Sequence, residues 1–168
     1  MTDLSRYTDI HTHDLSRALD GDAIVSVEPG AELAPGGTYS VGIHPWSTTS
    51  PVTLAQLRAL VRAARDTRVV AVGECGFDCL RGGAPDIQRR LFDFHARLAE
   101  HVGKPLIIHA VRSVDELMVA RRRLRPTVEW VIHGFRGKPE LARQLIRAGY
   151  SLSSREPIPG IHTYRESD

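Results

Sequence analysis

Residues 69–110 read "VVAVGECGFDCLRGGAPDIQRRLFDFHARLAEHVGKPLIIHA", and this stretch decides the fold class. It opens with a β-branched apolar run that ends at Glu74. Ile87, Leu91, Phe94, Leu98 and Val102 then step by three or four residues, the apolar stripe of a helix, and Gly103 suits its stop. A second apolar run, "PLIIH", ends at His109. Runs this rich in Val and Ile suit strands covered on both faces, and strand, helix, strand in that order implies a parallel sheet.

The pattern continues on both sides. Downstream come a helix in "SVDELMVARRRL", with Ser113 three residues before Glu116 as a capping box, and a strand in "VEWVIHGF". A helix in "KPELARQLIRAG" follows, bracketed by Pro139 and Gly149, then "YSLSS" and the strand candidate "IHTYRESD". Upstream, "SPVTLAQLRALVRAARD" carries Leu54, Leu57 and Val61 at helical spacing, with Ser50 and Pro51 as expected cap and first helical residue. The runs "YTDIHTH", "AIVSVEP" and "YSVGIHP" precede it, and the links after the first two are short and rich in Gly and Pro. That N-terminal part should be a pared-down version of the architecture. An α/β fold follows, as an open doubly wound sheet or a closed barrel.

A chain of 168 residues suits one domain, here residues 1–168, since no linker, low-complexity tract or repeat marks a boundary. A net charge of +2 is too small for a dedicated nucleic-acid-binding surface, so a polyanion must be held locally. Apolar runs fall short of the roughly 18 residues that span a bilayer, and residues 1–10 lack a secretion-signal pattern, so the default expectation is a cytoplasmic protein with no membrane contact. Nothing points to an obligate protein partner. Cys75 and Cys79 do not have zinc-knuckle spacing and read as reduced, unpaired thiols.

Metal-capable side chains terminate four of the runs: His11 and His13, Glu74, His109, and His133. Residues i and i+2 of a strand point to one side, so His11 and His13 can face a common centre. Parallel α/β folds gather strand C-termini at one face, so these groups converge. Three or four imidazoles with a carboxylate suit Zn, Mn, Ni or Fe. A bridging carboxylate would let the cluster hold two cations, which points to hydrolysis; there is no GxGxxG or P-loop to suggest cofactor chemistry.

The stretches "DIHTH", "SVGIHPW", "VVAVGECGFD", "QRRLFDFHARLAEHVGKPLIIHAVRS" and "VIHGFRGKPELARQLIRAGYSLS" resemble the TatD-like metal-dependent hydrolases of the amidohydrolase superfamily. The resemblance runs from about residue 8 to residue 153 and implies a TIM-type (β/α)8 barrel. It also implies metal ligation by His11 and His13, a bridging role for Glu74, ligation by His109 and His133, and a final acidic ligand in "ESD", residues 166–168, which makes Asp168 the match and the activator of water. The cofactors it implies are two divalent ions, Mg, Mn or Zn. Family members carry closing helices beyond this point, so a barrel incomplete at its C-terminal side is the expectation here.

Other positions have two readings each. His44 faces substrate or hydrogen-bonds the following turn. Arg112 and Arg136, each three residues after a ligand candidate, clamp a phosphate or form surface salt bridges. Asp14 and Asp78 orient ligand imidazoles or cap turns. Residues 120–125, "ARRRLR", read as a solvated helix face; His95 and His101 fall in a helix away from the strand ends, and His162 is unassigned. The resemblance implies hydrolysis of an ester bond, first a phosphodiester in DNase fashion with nucleic acid as substrate. The alternatives are a D-aminoacyl-tRNA ester, or an impaired protein that binds metal without turnover.

Overall fold

The computed structural model describes residues 2–167. Eight strands lie side by side in chain order: β1 (Asp9–Thr12), β2 (Ala23–Val27), β3 (Tyr39–Val41), β4 (Val69–Asp78), β5 (Leu106–Val111), β6 (Trp130–Ile132), β7 (Ser151–Ser154) and β8 (Tyr164–Arg165). All seven neighbouring pairs are parallel. The last strand returns to the first: Ser167 N donates to Asp9 Oδ1 at 3.2 Å, and Tyr164 packs against the cluster that holds Ile10 and Ile24. The sheet is therefore a nearly closed barrel, as expected, and an open sheet is excluded.

Helices fill four of the connections: α1 (Leu54–Ala64), α2 (Pro85–Val102), α3 (Val114–Leu124) and α4 (Pro139–Arg147). The links after β1, β2 and β7 hold no α-helix; a 3-10 turn at Leu15–Leu19 stands after β1. The abbreviated N-terminal region is as expected. No helix of the described residues is long and apolar enough to cross a membrane.

Two helix starts differ from expectation. α1 begins after Thr53, whose hydroxyl accepts from Gln56 N while the Gln56 side chain returns to Thr53 N, so the capping box lies three residues beyond Ser50. Ser113 precedes α3 without capping it: its hydroxyl donates to Phe77 O at 3.2 Å. A carbonyl on the neighbouring strand outcompetes the local helix end.

Apolar residues divide into two clusters. Val25, Val41, Val72, Phe77, Leu106, Trp130 and Leu152 face the helices and meet Leu60, Phe92, Leu117 and Leu145. Ile10, Ile24 and Val131 form a smaller cluster with Leu4 and Tyr7. The α2 residue His95 is fully buried in the first layer. Its Nε2 accepts from Ile43 N at 2.9 Å, and its Nδ1 donates to Leu91 O at 2.8 Å. That pairing requires the neutral ring, since a protonated Nε2 cannot accept.

Burial is the main reason the His95 pKa is lowered to about 4, against the smaller opposing effect of the Leu91 carbonyl. The unfolded chain, with a pKa near 6.5, binds the proton more readily, so stability is full above about 6.5 and is lost as pH falls toward 4. A shift of this size corresponds to roughly 3 kcal/mol. Urea unfolding at pH 4.5 and 7 in chelator, for wild type and His95→Gln, checks this: the variant is weaker at pH 7 but loses distinctly less on acidification. Equal losses would refute the assignment.

Candidate metal centre

The chain brings Glu74 to the centre of the site by breaking the regularity of β4. Between Val72 and Cys75 the pairing with β5 slips, with Val72 opposite Leu106 and Cys75 opposite Ile108. Such a bulge re-aims a side chain. Gly73 makes it sterically feasible: its φ is +132°, and a Cβ there would stand 2.4 Å from Ile107 O. Gly76, at φ +151°, passes closer still to His109 O, with a Cβ there 2.0 Å away. Glu74 was expected to end its strand, but β4 runs on to Asp78, and β5 likewise continues past His109 to Val111.

Glu74 is buried, with imidazoles on both oxygens. His109 Nδ1, His133 Nε2 and His44 Nε2 lie 2.9, 2.6 and 3.1 Å from Oε1. His11 Nε2 and His13 Nε2 each lie 3.3 Å from Oε2. His11 lies in β1 and His13 one residue past its end, two positions on, and both reach the same oxygen.

A divalent cation fits these residues. His11 is fully buried; among the described residues its Nδ1 has no hydrogen-bond partner, and its Nε2 faces Glu74 Oε2 at 3.3 Å without good hydrogen-bond geometry, which is costly unless a further group engages the ring. Among the described residues two sets have donor atoms within 4.8 Å of one another, His11, His13 and Glu74, and His44, Glu74 and His109. Both sets use Glu74, so the carboxylate lies between two candidate positions.

The electrostatics agree. Burial would raise the Glu74 pKa, but the histidines around it, His109 foremost, hold the carboxyl well below its usual range. Burial lowers the His11 pKa and favours the neutral, ligand-competent ring. Burial also opposes the charge on His133, but Glu166 and Glu74 outweigh it and raise the pKa to about 9. That proton must leave before His133 can ligate a cation.

Neighbouring groups orient the ring. Asp78 Oδ2 lies 3.1 Å from His109 Nε2, so this carboxylate turns the His109 Nδ1 toward Glu74. His44 Nδ1 accepts from Trp46 N at 3.1 Å, which places its proton on Nε2 facing Glu74 and His109. His44 therefore caps the turn, and its other ring nitrogen faces Glu74. Asp14 instead caps the turn at Leu15, accepting from Ser16 N.

The cavity over the cluster measures about 490 Å³ and is lined by His13, Glu28, His44, Trp46, Glu74, His109 and His133 among others. Arg112 is exposed beyond β5 and is not among its lining residues. Arg136 lines a separate groove of about 570 Å³ with Arg155 and Glu166. His101 stays at the surface beside Arg65. Cys75 is buried and Cys79 exposed, both free. Asp168 lies outside the described residues.

Sequence reasoning missed Glu166, two positions before Asp168. Its buried carboxylate accepts from Ser153 Oγ at 2.5 Å and sits 3.7 Å from His133 Nδ1. The acidic letters of "ESD" were its available signal. Trp46, inside the quoted "GIHPW", was also passed over.

Comparison with known proteins agrees with this geometry. A model of the TatD-related DNase family matches residues 14–168. The chain is 34% identical over 129 residues to the uncharacterized metal-dependent hydrolase YjjV of Escherichia coli K12, covering 74% of this chain and 48% of that protein. It is 32% identical over 133 residues to the 3'-5' ssDNA/RNA exonuclease TatD of Musicola paradisiaca, covering 73% and 47%. The chain thus spans about half the length of the curated relatives it matches. The crystal structure of the Escherichia coli YjjV protein superposes with a TM-score of 0.67 at 24% identity over 90% of this chain and 68% of that one, a likeness of fold. Together with the histidines gathered around Glu74 at the mouth of a parallel barrel, the match through residues 14–168 shows that the chain belongs to the TatD-related DNase family.

Proposed function

We propose that this protein is a divalent-metal-dependent phosphodiester hydrolase acting on nucleic acid, with two ions of Mg, Mn or Zn as cofactors, working in the cytoplasm. The observation that carries this reading is Glu74, with histidine nitrogens within 3.3 Å of each of its oxygens. His11 and His13 would hold an ion on the Oε2 side, His109 and His133 on the Oε1 side. Ions held there supply Lewis-acid polarisation of a phosphoryl oxygen and hydroxide at neutral pH.

The chain's own groups do the rest. Asp78 fixes the His109 ring through Nε2, and Glu166 stands behind His133. His44, whose Nε2 N–H faces Glu74 Oε1, lines the cavity and is the proposed substrate contact beside the cluster. Asp168 is the proton acceptor that its motif implies. Arg136, in the separate groove it shares with Glu166, and the exposed Arg112 are the proposed phosphate contacts. The relatives named as exonucleases support nucleic acid as the substrate.

Purified protein assayed on a single-stranded oligonucleotide and on a generic phosphodiester tests this. Turnover should need Mn or Mg, vanish in EDTA and return when metal is restored. Bound metal with no turnover of either compound would overturn the proposal in favour of an impaired metal-binding protein, and turnover of D-aminoacyl esters alone would redirect it to carboxylic esters.

A further inference from the structure

Trp46 is 44% exposed, whereas the other tryptophan, Trp130, is fully buried. Its indole lines the same cavity as Glu74, His109 and His133. The ring is held firmly: Nε1 donates to Asp78 Oδ2 at 2.6 Å, and that same oxygen faces His109 Nε2. The ring centroid is 4.7 Å from that of His44 and 5.8 Å from that of His109. Arg81 places its guanidinium carbon 4.6 Å from the indole centroid.

The two loops that carry these groups are fastened together. Gly83 N donates to Thr48 Oγ1 at 2.8 Å, tying the Arg81 loop to the turn that bears Trp46. The buried amide of Gln88 donates to Asp78 O, Arg81 O and Gly83 O and accepts from Asp78 N. An exposed indole anchored at its polar edge is a flat apolar seat with its ordering cost already met by the fold. A guanidinium on the same ring adds a cation for a phosphate or for the π-face of a ligand.

We infer that Trp46, with Arg81, forms a stacking seat for an unpaired nucleobase of the strand whose phosphodiester lies over Glu74. This deepens the phosphodiester reading and rests on it. Bases in a duplex already stack on both neighbours, whereas an unpaired base offers its face to an aromatic ring. The seat therefore favours single-stranded nucleic acid through stacking, without reading base identity.

The test uses the metal-loaded full chain and two hydrolysis-resistant ligands: phosphorothioate-linked tetrathymidylate, and the same backbone with every base removed. Tetrathymidylate should quench tryptophan emission and bind about 10-fold more tightly than the abasic strand, the order expected of one stacked base. Buried Trp130 cannot report this contact, so Trp46→Phe should lose the quenching while keeping affinity within a few-fold. Trp46→Ala should bind tetrathymidylate as weakly as the abasic strand, with abasic binding unchanged. Equal binding of the two strands by wild type would overturn the stacking seat and leave the hydrolase reading intact. Trp46→Ala weakening both strands alike would also overturn it, showing a role through Asp78 and His109. Binding of neither strand would sink the phosphodiester reading itself.

Discussion

Glu74→Gln should remove the bound metal and lower kcat/KM on an oligonucleotide by about 10³-fold or more, the scale lost when a main source of transition-state charge stabilisation goes. The argument rests on sharing. Both candidate ligand sets contain Glu74, so one substitution damages both, whereas a single His→Ala change at position 11 or 13 leaves the other set whole. Glutamine keeps the shape but replaces one acceptor oxygen with an NH2 donor and removes the negative charge. The variant should therefore rank below every single histidine variant in metal content. Thermal unfolding gives a readout independent of turnover. Metal at about 100 times its Kd stabilises a folded protein by about 2.7 kcal/mol, roughly 5–10 °C for a chain of this size. Wild type should show that rise and Glu74→Gln should not. Retained metal and rate in Glu74→Gln would remove the basis of the proposed function.

The strand and helix order was legible because it is written locally, in β-branched runs and in stripes such as Leu91, Phe94 and Leu98. Convergence of His11, His13, Glu74, His109 and His133 was legible because parallel strands send their ends to one face. What escaped depends on contacts across strands. Gly73 and Gly76 flank Glu74 in plain view, but only the approach of Ile107 O and His109 O shows why neither can carry a Cβ. A glycine inside a strand pattern is a bulge signal, and it explains why β4 outruns its expected end. Ser113 had the spacing of a cap and lost it to Phe77 O. His95 was set aside as non-ligating, yet its Nε2 holds Ile43 N beside His44, a supporting role that sequence spacing does not encode.

The barrel wall that delivers His133 should be equally sensitive from the other side. Trp130→Ala should cost about 4 kcal/mol, lowering Tm by roughly 8–16 °C. The indole is fully buried, meets Phe92 edge-to-face at 5.3 Å, and has the Arg121 guanidinium 5.5 Å from its centroid. Arg121 belongs to the "ARRRLR" face expected to be solvated; its neighbour Arg123 pairs at the surface with Asp93 while Arg121 turns inward against Trp130 and Tyr150. Trp130→Phe should be far milder, within about 1.5 kcal/mol. The indole N–H is buried with no acceptor among the described residues, a penalty of about 1–3 kcal/mol that phenylalanine removes, offsetting the smaller ring. Denaturant unfolding of the three proteins in chelator measures both differences, and a Phe variant clearly weaker than that range would show that the indole N–H contributes a hydrogen bond to the fold. Because β6 is only three residues long and His133 follows it directly, packing lost at Trp130 should also weaken metal affinity in the Ala variant and spare it in the Phe variant.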